Sequence, residues 1–348
     1  MPPIAWKGRN ALSIDEESKT PKYLQIVTLV QRQISQGILQ GGERIPSINE
    51  TSEEYYLSRD TVEKAYKILK RQGTIVSVRG KGYYITDKLV EYKIRICLIF
   101  NKLSVYKKII YDTIIRELGE KAQVDLYVHH CNAATFIDLL SRKLNTYDKY
   151  VIMPHFTTNS IDVELKLREI PPDKLIILDK YLPGFDQALG MVYQDFKQDI
   201  FEALEKATPH LKRYKELVLV YPEDTLYPFP YEIKIGFSAY CQRSGIPHQI
   251  ITETGPMFSP KAGTAYVVIE ESDLVNLIKN GRKLGWAAGT QFGILSYNET
   301  PIKEILEKGI SVISTDFEAM GKQAARIILE GCPTHQRNPF RFISRSSL

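Results

Sequence analysis

The chain changes its hydrophobic rhythm near residue 90. Before that point apolar positions recur at helical spacing. Ile26, Val27, Val30, Ile34 and Ile38 form one stripe along a helix expected from Tyr23 to Gly37. Ser47 followed by Glu50 makes a capping box, in which each side chain satisfies a free backbone N–H of the other. It opens a short helix reaching about Tyr56. Ser58 caps the next helix, Arg59 to Gln72, where Val62, Ala65, Tyr66 and Leu69 share one face. Its other face carries Arg59, Asp60, Glu63, Lys64 and Lys67, and Gly73 ends it in the left-handed conformation that glycine tolerates. Thr74, Val76 and Val78 then alternate, Arg79-Gly80-Lys81-Gly82 turn, and Tyr83 and Ile85 return. This is the pattern of a hairpin with a basic tip. Helix, turn, helix and basic hairpin together predict a winged helix-turn-helix, a build that sets one helix in a DNA major groove.

From residue 94 buried-type strands alternate with amphipathic helices. Strands are expected at 94–100, 124–128, 150–153, 175–178, 217–221, 248–252, 265–269, 292–295 and 310–313. Helices are expected at 109–121, 134–144, 161–169, 195–207, 231–244, 271–284, 302–308 and 317–330. Strands separated by helices imply parallel sheets covered on both faces. So many strands predict two doubly wound lobes rather than one sheet. The expected organisation is therefore an arm at 1–18, a winged helix-turn-helix at 19–86, a linker at 87–93 and a two-lobed α/β domain at 94–348. The tail from Cys332 to Leu348 is either a last strand or only partly ordered.

Composition narrows the class. A net charge of +5 over 348 residues is not that of a nonspecific nucleic-acid coat. Charge is uneven, however: between residues 59 and 81 seven cations face only Asp60 and Glu63, a bias suited to counterion release on DNA. The four cysteines, Cys97, Cys131, Cys241 and Cys332, are scattered, which suggests neither a metal site nor a disulfide framework and fits reduced thiols in a cytoplasm. No signal peptide or bilayer-length apolar run is apparent, so no membrane partner is expected.

PKYLQI (21–26), GGERIPS (41–47), SRDTVEKAYKIL (58–69), Gly73 and GKGYYI (80–85) resemble the GntR family of bacterial repressors across residues 19–86. The resemblance implies DNA-contacting roles for Lys22, Tyr23, Arg44, Ser47, Ser58, Arg59, Thr61 and the wing Arg79, Gly80, Lys81 and Gly82. Asn49 and Lys64 join this set, with a phosphate role for Lys64 left open. Many relatives have Arg where this chain has Asn49 and Glu63. Arg reads guanine, whereas Asn suits adenine and Glu cytosine, so the operator is not expected to match that of relatives.

GILSYNETPIKEILEKGISVISTDFEAMGKQAARIILEG (293–331) resembles the LacI/periplasmic sugar-binding fold. The whole chain is thus similar to arabinose-repressor-like chimeras, a reading head fused to a sugar sensor. In such folds ligands sit beyond the carboxyl ends of strands. The resemblance points to Asn101, Lys102, Ser104 and Tyr106 after the first strand, then His155, Asp179, Lys180 and Asp195. In the second lobe it points to Thr225, Tyr227, Phe229, Tyr231, Lys234, Glu270 and Asn298. Sugar sites combine hydroxyl acceptors with aromatic faces, and this set has both. Glu270 and Glu271 also suit a helix N-terminus. Many LacI-type sensors carry Arg where this chain has Ile233, so either Lys234 substitutes or the hydroxyl clamp differs.

The expected function is a homodimeric repressor of a sugar-utilisation operon. It would bind double-stranded operator DNA and be modulated by a monosaccharide or sugar phosphate. No cofactor and no metal are expected. Two alternatives stand beside it: an enzyme with a DNA-binding front end, and a ligand-independent dimerisation platform. No P-loop, dinucleotide fingerprint or nucleophile elbow supports the enzyme.

Overall fold

A computed structural model describes residues 14, 21–86, 93–157, 161–223 and 226–348. The expected arm apart from Ile14, the linker residues 87–92, and Thr225 lie outside the described residues. Two compact units result, with the main boundary at Arg95/Ile96.

The first unit holds helices α1 (Lys22–Ser35), α2 (Ile48–Glu54) and α3 (Arg59–Arg71). Its three strands are β1 (Arg44–Ile45), β2 (Ile75–Val78) and β3 (Gly82–Ile85). The capping box forms: Ser47 Oγ accepts from Glu50 N at 3.2 Å, and Ser47 N donates to Glu50 Oε2 at 2.6 Å. Val62, Ala65, Tyr66 and Leu69 of α3 are buried against Ile26, Val27 and Val30 of α1. Ile38 lies past the end of α1 and is exposed, and Leu39 takes the buried place instead. The hairpin differs from its expected phasing. Thr74 and Ile75 are buried, whereas Val76 and Val78 face out. The strand β1, too short to leave a periodic trace, pairs antiparallel with β3 and widens the wing to three strands.

The second unit is α/β with two six-stranded sheets. The first sheet contains β4 (Ile94–Phe100), β5 (Ala122–Val128), β6 (Lys149–Ile152), β7 (Leu175–Lys180), β8 (Gly190–Gln194) and β14 (Thr334–Arg337). Its order is β14-β8-β7-β6-β4-β5. The second contains β9 (Glu216–Val220), β10 (His248–Ile251), β11 (Thr264–Val268), β12 (Gly293–Tyr297), β13 (Ser311–Thr315) and β15 (Phe340–Ile343). Its order is β10-β9-β11-β12-β13-β15, parallel except for β15.

Helices α4 (Val105–Leu118), α5 (Ala133–Lys143) and α6 (Ile161–Leu167) serve the first lobe, joined by α11 (Phe317–Glu330), which packs on α4. The second lobe has α7 (Phe196–Leu211), α8 (Glu232–Ser244), α9 (Glu271–Lys283) and α10 (Pro301–Ile305). A Cβ at Gly321 of α11 would lie 2.8 Å from Thr113 of α4, so only glycine permits this approach. The chain passes between lobes after β8, after β13 and between β14 and β15. The tail thus supplies one strand to each sheet.

Candidate functional site

In the first unit the capped start of α3 presents Ser58 and Arg59 to solvent, with Thr61 half-buried. Ser58 Oγ accepts from Thr61 N at 3.2 Å, which fixes the direction of the helix start. Asn49 and Arg44 are exposed on neighbouring elements. Lys64 Nζ lies 3.9 Å from the Tyr23 ring centroid, tying α3 to α1 through a cation–π contact. Lys70 Nζ donates to Ser77 Oγ at 2.9 Å and ties α3 to the wing. Lys67 pairs with Glu63 at 2.7 Å, one helical turn apart. Arg79, Gly80 and Lys81 form the exposed tip. Gly82 has φ +108, and a Cβ there would meet Arg44 Nε at 3.1 Å. The Arg44 side chain lies across the wing in that space. Lys22 and Tyr23 are half-buried at the start of α1, and Ser47 is occupied as the α2 cap. The first unit therefore presents the exposed Arg59 at the capped start of α3 and a cationic hairpin tip.

In the second unit a cavity of about 70 Å³ lies at the carboxyl ends of β4, β7, β8 and β12, between the lobes. Asp179, at the end of β7, organises it. Its φ of 76 is a left-handed conformation that non-glycine residues adopt at some cost, though Asp and Asn do so most readily. One carboxylate oxygen, Oδ2, accepts from Lys107 Nζ and from His155 Nε2 at 2.8 Å; the other accepts from Gln194 Nε2 at 2.6 Å. Burial alone would raise the Asp179 pKa, but the Lys107 ammonium and His155 hold it well below the usual carboxylate range. Burial conversely draws His155 below its ordinary value, against the pull of Asp179. Lys107 and Asp179 are both buried, so the ion pair is internal to the site.

Around this cluster sit four buried polar atoms with no hydrogen-bond partner among the described residues: Asn101 Oδ1, Gln194 Oε1, Tyr297 OH and Asn298 Oδ1. All four residues line the cavity. Burial raises the Tyr297 pKa well above its normal value, helped by Asp199 and Asp179, so the hydroxyl keeps its proton. Asn298 also has a left-handed φ of 63. Beneath it the buried Lys303 ammonium donates to the carbonyls of Tyr297 at 3.1 Å and Asn298 at 2.7 Å. Apolar walls come from Tyr106, stacked on Phe317 at 5.4 Å, and from Phe196, Phe229 and Ile233.

A wider groove of about 680 Å³ shares His155, Phe196 and Phe229 with the cavity and adds Lys180, Tyr181, Asp195, Tyr231 and Glu232. Lys102 Nζ lies 5.1 Å from the Tyr227 ring and 5.3 Å from that of Phe229, and burial lowers its pKa. His130 Nδ1 and the Tyr227 hydroxyl are 3.1 Å apart, a contact between lobes. At the lobe crossings Asn338 N donates to Tyr193 O at 2.7 Å, and Asn338 Nδ2 donates to Thr315 Oγ1 at 2.7 Å. Arg337 of β14 spans to Asp199 and Glu202 of α7.

The structure gathers Asn101, Lys102, Tyr106, His155, Asp179 and Asn298 at the cavity, and Lys180, Asp195 and Tyr231 at the groove. Ser104 instead caps α4, which starts at Val105 rather than at Ile109 as expected. Lys234 pairs with Glu223 and lies 4.4 Å from the Tyr221 ring, so it does not take the place of the arginine at Ile233. Glu270 stands at the N-cap position of α9, outside both linings. Lys107, Gln194 and Tyr297 escaped sequence reasoning. Lys107 carried a usable signal: with Ile110 and Ile114 it occupies the buried stripe of α4.

Residues 22–85 match the gntR family of bacterial regulatory proteins, and residues 210–348 match the periplasmic binding protein-like domain. HTH-type transcriptional repressor YtrA of Bacillus subtilis (strain 168) is 33% identical over 104 residues, covering 30% of this chain and 76% of that protein. The mannosyl-D-glycerate transport/metabolism system repressor MngR of Escherichia coli (strain K12) is 34% identical over 74 residues. That match covers 21% of this chain and only 31% of that protein. The crystal structure of the lac repressor dimer bound to operator and the anti-inducer ONPF superposes with a TM-score of 0.58 at 15% identity, covering 74% of this chain and 95% of that one. The second unit therefore has the two-lobed fold of LacI-type repressors. The chain belongs to the gntR family of bacterial regulatory proteins, and is a DNA-binding transcriptional regulator with a LacI-like sensor fold.

Proposed function

We propose that the chain is a repressor of a sugar-utilisation operon. It binds a near-palindromic operator as a homodimer, and a monosaccharide or sugar phosphate held between its two lobes modulates that binding. Lys22, Tyr23, Arg44, Ser47, Asn49, Ser58, Arg59, Thr61, Lys64 and the wing residues Arg79 to Gly82 form the proposed DNA-contacting set. A twofold protein on a twofold site follows from the geometry of such heads.

The observation that carries the effector reading is the ring of four unpartnered buried polar atoms around one cavity. Each costs on the order of 1–3 kcal/mol when left unpaired, so a cluster of four calls for a ligand or ordered water to satisfy it. Hydroxyl groups on a compact ring supply such partners, and Phe196, Phe229 and Phe317 supply apolar faces. The cavity takes one end of a sugar, and the remainder lies in the groove. Binding alters DNA affinity only so far as it favours one lobe arrangement over another.

A thermal-shift screen with pentoses, hexoses, deoxysugars and their phosphates tests this reading, because only ligands of the native state stabilise it. The best stabiliser is expected to change operator affinity in a gel-shift assay. Absence of any stabiliser at millimolar concentration points instead to a ligand-independent platform. Turnover of the stabiliser points to an enzyme.

A further inference from the structure

We infer that Gln194 reads the effector at the buried end of the cleft, accepting a hydrogen bond from one hydroxyl through Oε1. The inference rests on the effector reading above and names the contact within it.

The argument is one of hydrogen-bond valence. Asp179 is buried, ionised and therefore an acceptor only. Oδ2 is taken by Lys107 and His155, and Oδ1 receives Gln194 Nε2 at 2.6 Å. Turning the Gln194 amide over would set two acceptors against each other at that distance. Its orientation is thus decided by chemistry, although amide oxygens and nitrogens often have to be assigned. With Nε2 held by Asp179, Oε1 must point elsewhere, and it is buried without a partner among the described residues. Asp179, with most of its acceptor sites filled within the chain and its charge balanced by Lys107, positions the Gln194 amide.

This arrangement also sets the chemistry of the group recognised. Oε1 takes a donor and repels another acceptor. A hydroxyl fits, whereas a phosphate or carboxylate oxygen would face Oε1 and the Asp179 carboxylate together. Lys107 is committed to Asp179, and the Lys102 charge lies over the Tyr227 and Phe229 rings. The buried end therefore reads an uncharged hydroxyl, and any anionic group of the effector belongs outside it. Sites built around a fixed polar group reject analogues that leave it unpaired by large factors.

The test is a double-mutant cycle in the full chain. The strongest binder among free pentoses, hexoses and hexitols is paired with each of its monodeoxy analogues and its phosphates. These are titrated calorimetrically against wild type and Gln194→Met, a replacement of similar volume that removes the Oε1 acceptor together with the Nε2 donor to Asp179. Wild type is expected to lose at least about tenfold in affinity for one monodeoxy analogue. Gln194→Met should lose about as much for the parent sugar and nothing further for that analogue. If Gln194→Met does not fold, Gln194→Asn, which keeps the amide but is one methylene shorter, is read in the same cycle. Equal losses for every deoxy analogue, no loss at all, or tighter binding of a sugar phosphorylated at the coupled hydroxyl would overturn the role of Gln194 and leave the effector reading standing. Failure of wild type to bind any sugar or phosphate would remove both.

Discussion

Two buried tyrosines, one in each unit, face opposite fates. Tyr66 in α3 donates to Pro46 O at 2.7 Å and lies 3.0 Å from Thr51 Oγ1, so its hydroxyl is fully engaged. Tyr297 at the end of β12 is equally buried, and its hydroxyl has no partner among the described residues. The contrast extends to the units around them. The reading head closes its core and puts its chemistry outside, as exposed cations on α3 and the wing. The sensor keeps its chemistry inside, as unpaired groups about a cavity. A polyanion as large as DNA must be met on a surface, whereas a small ligand is recognised best where water is excluded.

The largest effect expected from this division is at the surface. Arg59→Ala should lower operator affinity by on the order of a hundredfold in a gel shift at fixed salt, since a positioned arginine at a helix start serves base or phosphate. Stabilisation by sugar in the thermal-shift screen should not change. Unaltered operator affinity would take the α3 start out of the interface.

The two units were also unequally legible. The head could be read from local rules, because Ser47, Glu50, Ser58 and Gly73 act within one turn of themselves. Only β1, two residues long, left no trace. In the sensor most strands and helices could be read from buried-type runs and helical spacing. The strand β8 is absent from the expected strands, because Gly190–Gln194 is short and follows a run of turn residues. With β8 unseen, Gln194 was never at a strand end. The Lys107–Asp179 pair joins residues 72 positions apart, which no local pattern encodes. The tail leaves a last strand open, and Thr334–Arg337 forms one against the edge that β8 offers.

A second prediction concerns the floor of the cavity. Burial lowers the Lys303 pKa to about 8, against the opposing pull of Glu271, Glu299 and Glu270. The folded state therefore disfavours the charged form. That cost is present below pH 8 and relieved as pH rises from there toward the ordinary lysine value, so this group makes the sensor more stable with rising pH. The gain should amount to about 2 kcal/mol between pH 7 and 9.5. It should appear in urea unfolding as a pH-dependent difference between wild type and Lys303→Met. A difference that is flat with pH would mean that the ammonium is not desolvated as its position implies.

The smallest effect divides the two tyrosines directly. Tyr66→Phe removes a hydroxyl that satisfies Pro46 O, leaving a buried carbonyl short of its donor, so the head should lose about 1–2 kcal/mol. Tyr297→Phe removes a hydroxyl with no partner among the described residues, so the sugar-free sensor should lose less than about 0.5 kcal/mol or gain slightly. Hydrogen exchange reads each unit separately: amides of α3 should exchange faster in the first variant, and those of β12 should keep their protection in the second. Sugar binding should reverse the order, with Tyr297→Phe weakened and Tyr66→Phe unchanged. Comparable destabilisation by both would mean that Tyr297 has a partner within the fold, and the cavity would then have one fewer group to offer a ligand.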